Sequence, residues 1–132
     1  MTMERQPLRY FSLWLTIAWL LVAVVLYSSL TSSPIQTPNI EYGDKIGHFF
    51  AYFTLVFWFC QLYKNRSHIL LFVLFVTMGV VIELIQGQTS YRTFEVADML
   101  ANSLGAVMGW LLVRFYVAEM LLTIEMWLLQ KL

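Results

Sequence analysis

The chain has 132 residues, eight basic and eight acidic side chains and no net charge. It is 60% apolar and only 12% charged, with a mean hydropathy of +0.70. A soluble globule carries about 25% charged residues, so this composition excludes an ordinary soluble domain. The zero net charge gives no footing for a nucleic-acid partner.

A bilayer-crossing helix needs about 20 mainly apolar residues. The first such stretch is residues 10–27, free of charge and followed by Ser28, Ser29, Thr31, Ser32, Ser33 and Pro34, a loop signal. Arg5 and Arg9 precede it, as in a signal peptide. Its apolar run is too long for one, however, and no small-residue cleavage site follows. It is read as a retained span. Further spans are predicted at residues 46–63, 68–86 and 96–117, with a tail at 118–132. The fold class expected is therefore all-α, a single membrane domain of four transmembrane helices.

Basic residues in short loops set orientation. With the N-terminus inside, Arg5, Arg9, Lys64, Arg66, Arg114 and Lys131 are internal, and only Lys45 and Arg92 are external. An N-in/C-in arrangement follows. Trp14, Trp58, Trp110 and Trp127 are candidate interfacial anchors. The tail holds Glu119 and Glu125, and taking each carboxylate across hydrocarbon costs about 2.5 kcal/mol or more. The tail is read as a helical extension of span four or an interfacial helix.

The chemistry-bearing residues fall in three groups at span ends. Asp44, Lys45, His48 and Tyr52 enter span two; Gly79, Glu83 and Gln86 leave span three; Arg92, Asp98, Asn102, Gly105 and Gly109 enter span four. Residues three or four apart share a helix face, and each group makes one stripe. Polar groups find no partners in lipid, so the stripes are expected to face one another, toward the outer leaflet. Glu41 and Glu95 read as solvated loop charges, His68 as an interfacial residue, and the lone Cys60 as a packing thiol.

Three readings compete for this cluster. As a binding site, Lys45 and Arg92 hold an anionic headgroup of a membrane lipid or lipid-linked precursor, while Gln86 and Asn102 add hydrogen bonds. As an intramembrane enzyme, Asp44, His48, Glu83 and Asp98 bind a divalent metal, or His48, Glu83 and Asp98 share acid/base duty; one imidazole with carboxylates suits Mn, Fe or Zn. As a packing latch, Asp44, Glu83 and Asp98 pair with Lys45 and Arg92, and the amides are interhelical glue. No HExxH, serine-nucleophile or phosphate-loop motif is present, so whether this is an enzyme, and with what cofactor, stays open. A proton-linked transporter lacks polar residues along the rest of the spans.

The segments "DKIGHFFAYFTL" from Asp44, "GVVIELIQG" from Gly79 and "RTFEVADMLANSLGAVMG" from Arg92 resemble, in this order, the VanZ-like family of small membrane proteins. The resemblance covers roughly Asp44 to Gly109. It implies a multi-pass protein of the bacterial inner membrane acting near the cell envelope. The family's namesake raises resistance to the glycopeptide teicoplanin, which suggests an envelope lipid or glycopeptide-type ligand. It assigns no role to any single residue.

Overall fold

A computed structural model describes residues 2–33 and 42–132. Glu41 and Pro34 lie outside the described residues. Five α-helices follow in order: α1 (Phe11–Leu30), α2 (Gly43–Leu62), α3 (His68–Gln86), α4 (Val96–Phe115) and α5 (Met120–Gln130), with a short 3-10 turn, Asn65–Ser67, before α3.

The expected count of four spans is corrected. Among the described residues, three helices are long and apolar enough to cross a membrane: α1, α3 with its preceding turn, and α4. The helix that falls out is α2. It has the same 20-residue length as α1 and α4. However, Asp44, Lys45, His48 and Gln61 lie within it and dilute its apolar character. An N-in/C-in arrangement requires an even number of spans, which three such helices do not supply.

Why α2 is polar follows from its position. It buries Tyr52, Leu55, Val56, Phe59, Cys60, Gln61 and Leu62, and its most extensive pairing is with α4. Two glycines make that pairing possible. A Cβ on Gly105 would run into the backbone carbonyl of Phe49, and one on Gly109 would stand 2.6 Å from the carbonyl oxygen of Phe53. Residues four apart on α4 thus lie against residues four apart on α2, the close approach that small residues permit in membrane helices. On α2, Phe49, Phe53 and Phe57 stack with ring centroids 6.2 and 6.0 Å apart.

α1 presents Leu13, Trp19, Leu20, Val24 and Tyr27 outward, as a lipid-facing helix does. Of the four tryptophans read as anchors, Trp14 and Trp58 are spent on packing, their rings 6.1 Å apart. The tail does not continue α4. The helix stops at Phe115, Tyr116 leaves helical geometry, and α5 begins at Met120. Eleven residues are too few to cross a bilayer. Gln61 anchors the turn, donating to the carbonyl of Val117 at 2.7 Å and accepting the N–H of Leu121 at 3.1 Å.

Glu125 of α5 is buried rather than solvent-facing. Its carboxylate accepts the backbone N–H of Arg9 at 2.7 Å, the N–H of Tyr10 at 2.9 Å and the indole N–H of Trp14 at 2.9 Å. A helix start has orphan N–H groups and a partial positive charge, and a carboxylate satisfies both. Burial raises the Glu125 pKa, but the donors from Tyr10, Trp14 and Arg9 outweigh it and hold the carboxyl below its ordinary value.

Candidate functional site

The start of α2, the end of α3 and the start of α4 meet at one end of the bundle. Three side chains link them. Lys45 Nζ lies 2.7 Å from Glu95 Oε2, 2.9 Å from Asp44 Oδ2 and 3.0 Å from Asp98 Oδ1. The ammonium is therefore enclosed by three carboxylates, one from its own helix and two from α4 and its cap. Asp44 is exposed, whereas Asp98 is buried. The expected pairing of Lys45 with Asp44 and Asp98 is present, and Glu95 joins it. Glu95, read as a solvated loop charge, immediately precedes α4, and its side chain stays 43% exposed while its carboxylate pairs with Lys45.

His48 sits one turn deeper. Its Nδ1 is 3.1 Å from Asn102 Oδ1 and its Nε2 is 3.5 Å from Asp98 Oδ2. Two proton arrangements satisfy both neighbours. An imidazolium donates to both oxygens. A neutral ring protonated on Nε2 faces Asp98 and then needs the Asn102 amide turned so that its NH2 meets Nδ1.

Deeper again are Glu83 and Tyr52, both buried. Glu83 Oε1 accepts the backbone N–H of Glu95 at 2.8 Å. Its Oε2 and the Tyr52 hydroxyl are buried and make no hydrogen bond among the described residues. Gly79 makes room for Tyr52, since a Cβ there would stand 3.1 Å from the tyrosine ring. The Asp44–His48–Tyr52 and Asp98–Asn102 stripes therefore do face one another, with Glu83 beside them.

Two expected ligand-binding residues point elsewhere. Gln86 donates to the carbonyl of Ser29 at 2.7 Å, and Arg92 donates to the carbonyl of Ser28 at 3.0 Å. Tyr91 adds a bond to the carbonyl of Leu30 at 3.0 Å. These are the last carbonyls of α1, which have no partner within their own helix. A cation such as Arg92 also suits the negative end of a helix. Ser28 and Ser29, expected in a loop, lie in this last turn. The latch reading paired Asp44, Glu83 and Asp98 with Lys45 and Arg92, but Arg92 forms no salt bridge among the described residues.

The metal set expected from Asp44, His48, Glu83 and Asp98 is only partly assembled. The close group is Asp44, Glu95 and Asp98, whose oxygens lie within 4.8 Å of one another. An all-oxygen set suits Mg, Ca or Mn rather than Zn. His68 belongs to the other end of the molecule. It stands near the start of a candidate span, as an interfacial residue would, but is buried within the protein, with Nε2 2.8 Å from the carbonyl oxygen of Tyr63.

The VanZ/LLP1 family model matches residues 5–117. The chain belongs to the VanZ/LLP1 family. The match reaches past the three motifs to take in α1, in keeping with the capping of α1 by Gln86, Tyr91 and Arg92. An uncharacterised protein of Schizosaccharomyces pombe is 37% identical over 81 residues, which are 58% of this chain and 50% of the relative. The chain thus spans about half the length of that curated relative. No solved structure matches it. The protein is a membrane-spanning member of a small integral membrane protein family, and it gathers a carboxylate and histidine cluster at one end of its helices.

Proposed function

We propose that the cluster is an intramembrane acid/base site acting on the polar group of a lipid substrate. One observation carries this reading. His48 lies between Asp98 and Asn102, while Glu83 Oε2 and the Tyr52 hydroxyl are buried without hydrogen bonds among the described residues. A buried polar atom without a partner costs about 1–3 kcal/mol. A pure latch gains by closing every such group, and this cluster leaves an acceptor and a donor open beside a titratable ring.

In this reading the apolar helix faces hold the lipid tail, and the polar group enters beside Glu83 and Tyr52. The free oxygen Glu83 Oε2 is the acceptor that takes a proton from a hydroxyl of the substrate, with His48 and Asp98 held beside it. Lys45 offsets the charge of Asp44, Glu95 and Asp98. It is too fully engaged to hold an anionic headgroup, so the substrate's polar group is placed at Glu83 rather than at Lys45 and Arg92. The proposed location is the bacterial cytoplasmic membrane.

A second reading draws on the acidic group. A divalent cation held by Asp44, Glu95 and Asp98 would take the place now filled by Lys45 Nζ and polarise the substrate's oxygen.

The test uses Glu83→Gln and Asp98→Asn in a bacterium deleted for its own copy. Accumulation of each variant in the membrane is measured beside the cell's lipid profile. Normal accumulation with a lipid profile matching the deletion supports the site. A wild-type profile in both variants sinks it.

A further inference from the structure

The opposite end of the bundle holds a cleft that the carboxylate site does not use. It measures about 280 Å³ and is lined by Gln6, Lys64, Asn65, His68, Arg114 and Glu119. These come from the N-terminal segment, the α2–α3 turn, the first residue of α3, the last turn of α4 and the link to α5. The level of the cleft is informative. His68 stands near the start, and Arg114 near the end, of helices long and apolar enough to cross a bilayer. Residues at span ends lie in the headgroup region.

His68 is the residue that packing alone does not explain. It is 2% exposed. Its Nε2 lies 2.8 Å from the carbonyl oxygen of Tyr63, so Nε2 carries the proton and donates. A neutral imidazole then has only an acceptor at Nδ1. That Nδ1 is buried and makes no hydrogen bond among the described residues. It belongs to a ring that lines the cleft, and it calls for a donor from whatever fills the space.

The charges around it call for an anion. Lys64 Nζ is 3.5 Å from Glu4 Oε2, a loose pair in which both side chains are about half exposed. Arg114 forms no salt bridge among the described residues. The start of α3 contributes its partial positive charge at His68. Glu119 and Glu4 limit how much negative charge the site tolerates, which favours a singly charged group over a dianion.

We propose that this cleft binds the phosphodiester headgroup of a membrane lipid that also carries a hydroxyl donor, as phosphatidylglycerol does. The phosphate sits between Lys64 and Arg114, whose guanidinium suits paired phosphate oxygens. The headgroup hydroxyl donates to His68 Nδ1, and the acyl chains run down the apolar surface of the helices. This site is separate from the carboxylate cluster and does not depend on its chemistry.

The test places purified protein in nanodiscs of equal parts phosphatidylglycerol and phosphatidylcholine, then transfers it to detergent and quantifies the lipid still bound. Phosphatidylglycerol is expected to be retained about fivefold or more over phosphatidylcholine. Lys64→Gln with Arg114→Gln, both at exposed positions, is expected to bring the two lipids to parity while gel filtration shows an unchanged protein. Phosphatidylmethanol keeps the diester but lacks the hydroxyl, and is expected to be retained less than phosphatidylglycerol. Equal retention of phosphatidylglycerol and phosphatidylcholine by the wild type, or full enrichment in the double variant, overturns the proposal. Equal retention of phosphatidylmethanol overturns the role of His68. Loss of the enrichment in millimolar inorganic phosphate assigns the cleft to the free anion and overturns the lipid assignment.

Discussion

Glu83 in α3 accepts the backbone N–H of Glu95 at 2.8 Å, and Glu95 in turn reaches Lys45 of α2 at 2.7 Å. One buried carboxylate thereby fixes the start of α4, and that start fixes the charge set around Lys45. The second oxygen of Glu83 stays unbonded among the described residues. Structure and proposed chemistry thus share one side chain but use different atoms of it.

This division predicts a split between two substitutions. Glu83→Gln keeps an oxygen acceptor for the Glu95 N–H, and its thermal melt in detergent is expected to stay near that of the wild type. Glu83→Ala leaves that N–H without its partner and is expected to lose about 1–3 kcal/mol. Circular dichroism melts of the two purified variants check it, and equal melts would show that the bond does not hold α4.

Lys45 predicts a dependence on cations. Replacing Lys45 with Met leaves Asp44, Glu95 and Asp98 uncompensated within 4.8 Å of one another. The variant is expected to melt lower than the wild type, by about 1–3 kcal/mol. Added Mn²⁺ or Ca²⁺ is expected to restore much of the loss. A wild-type protein stabilised by the same cations to the same extent contradicts the view that Lys45 occupies that position.

The α2–α4 contact predicts a difference between glycines. A Cβ at Gly105 collides with the Phe49 carbonyl, whereas a Cβ at Gly47 meets nothing within 4 Å. Gly105→Ala is expected to cost about 1–3 kcal/mol through overpacking. Gly47→Ala is expected to be neutral or slightly stabilising, since alanine favours helix. Paired melts decide it, and similar values for both would mean the helices separate more easily than their packing implies.

Glu125 predicts an acid limit to stability. Its folded pKa lies below the ordinary value of 4.5. The unfolded chain therefore takes up the proton first, and the contribution is present above about pH 4.5 and fades as pH falls through the lower folded value. The melting temperature of the wild type is expected to drop in that window more steeply than that of Glu125→Gln. Parallel curves would show that the cap on α1 is not carried by the charge.

Much of the site is legible in the sequence because helical spacing is a strong signal. Asp44, His48 and Tyr52 repeat every four residues, as do Asp98 and Asn102, so their shared faces can be read from the residue order alone. The glycines that bring α2 against α4 follow the same rule. What spacing does not carry is where a side chain finds a backbone partner. Gln86 and Arg92 look like ligand residues, yet they satisfy the carbonyls of Ser29 and Ser28. Backbone acceptors are the same at every position and leave no mark in the sequence. Glu125 is hidden for a related reason, since it lies outside the main stripes and is turned inward by contacts distant in sequence.

The helix positions are legible to within a few residues, but the number able to cross a bilayer is not. A run of apolar residues suggests a span even where its ends are polar. In α2 those ends find partners inside the protein, at Asn102 and Asp98 on one side and at Val117 and Leu121 on the other. Interior helices tolerate such residues, and their hydropathy falls accordingly.

The most direct measurement is lipid turnover by the purified protein. Wild type, Glu83→Gln and Asp98→Asn, matched in melting temperature, are incubated with a bacterial lipid extract, and products are followed by mass spectrometry. The acid/base account predicts a lipid product with the wild type that is reduced at least about a hundredfold in both variants. No product from the wild type, or equal product from all three, would contradict it.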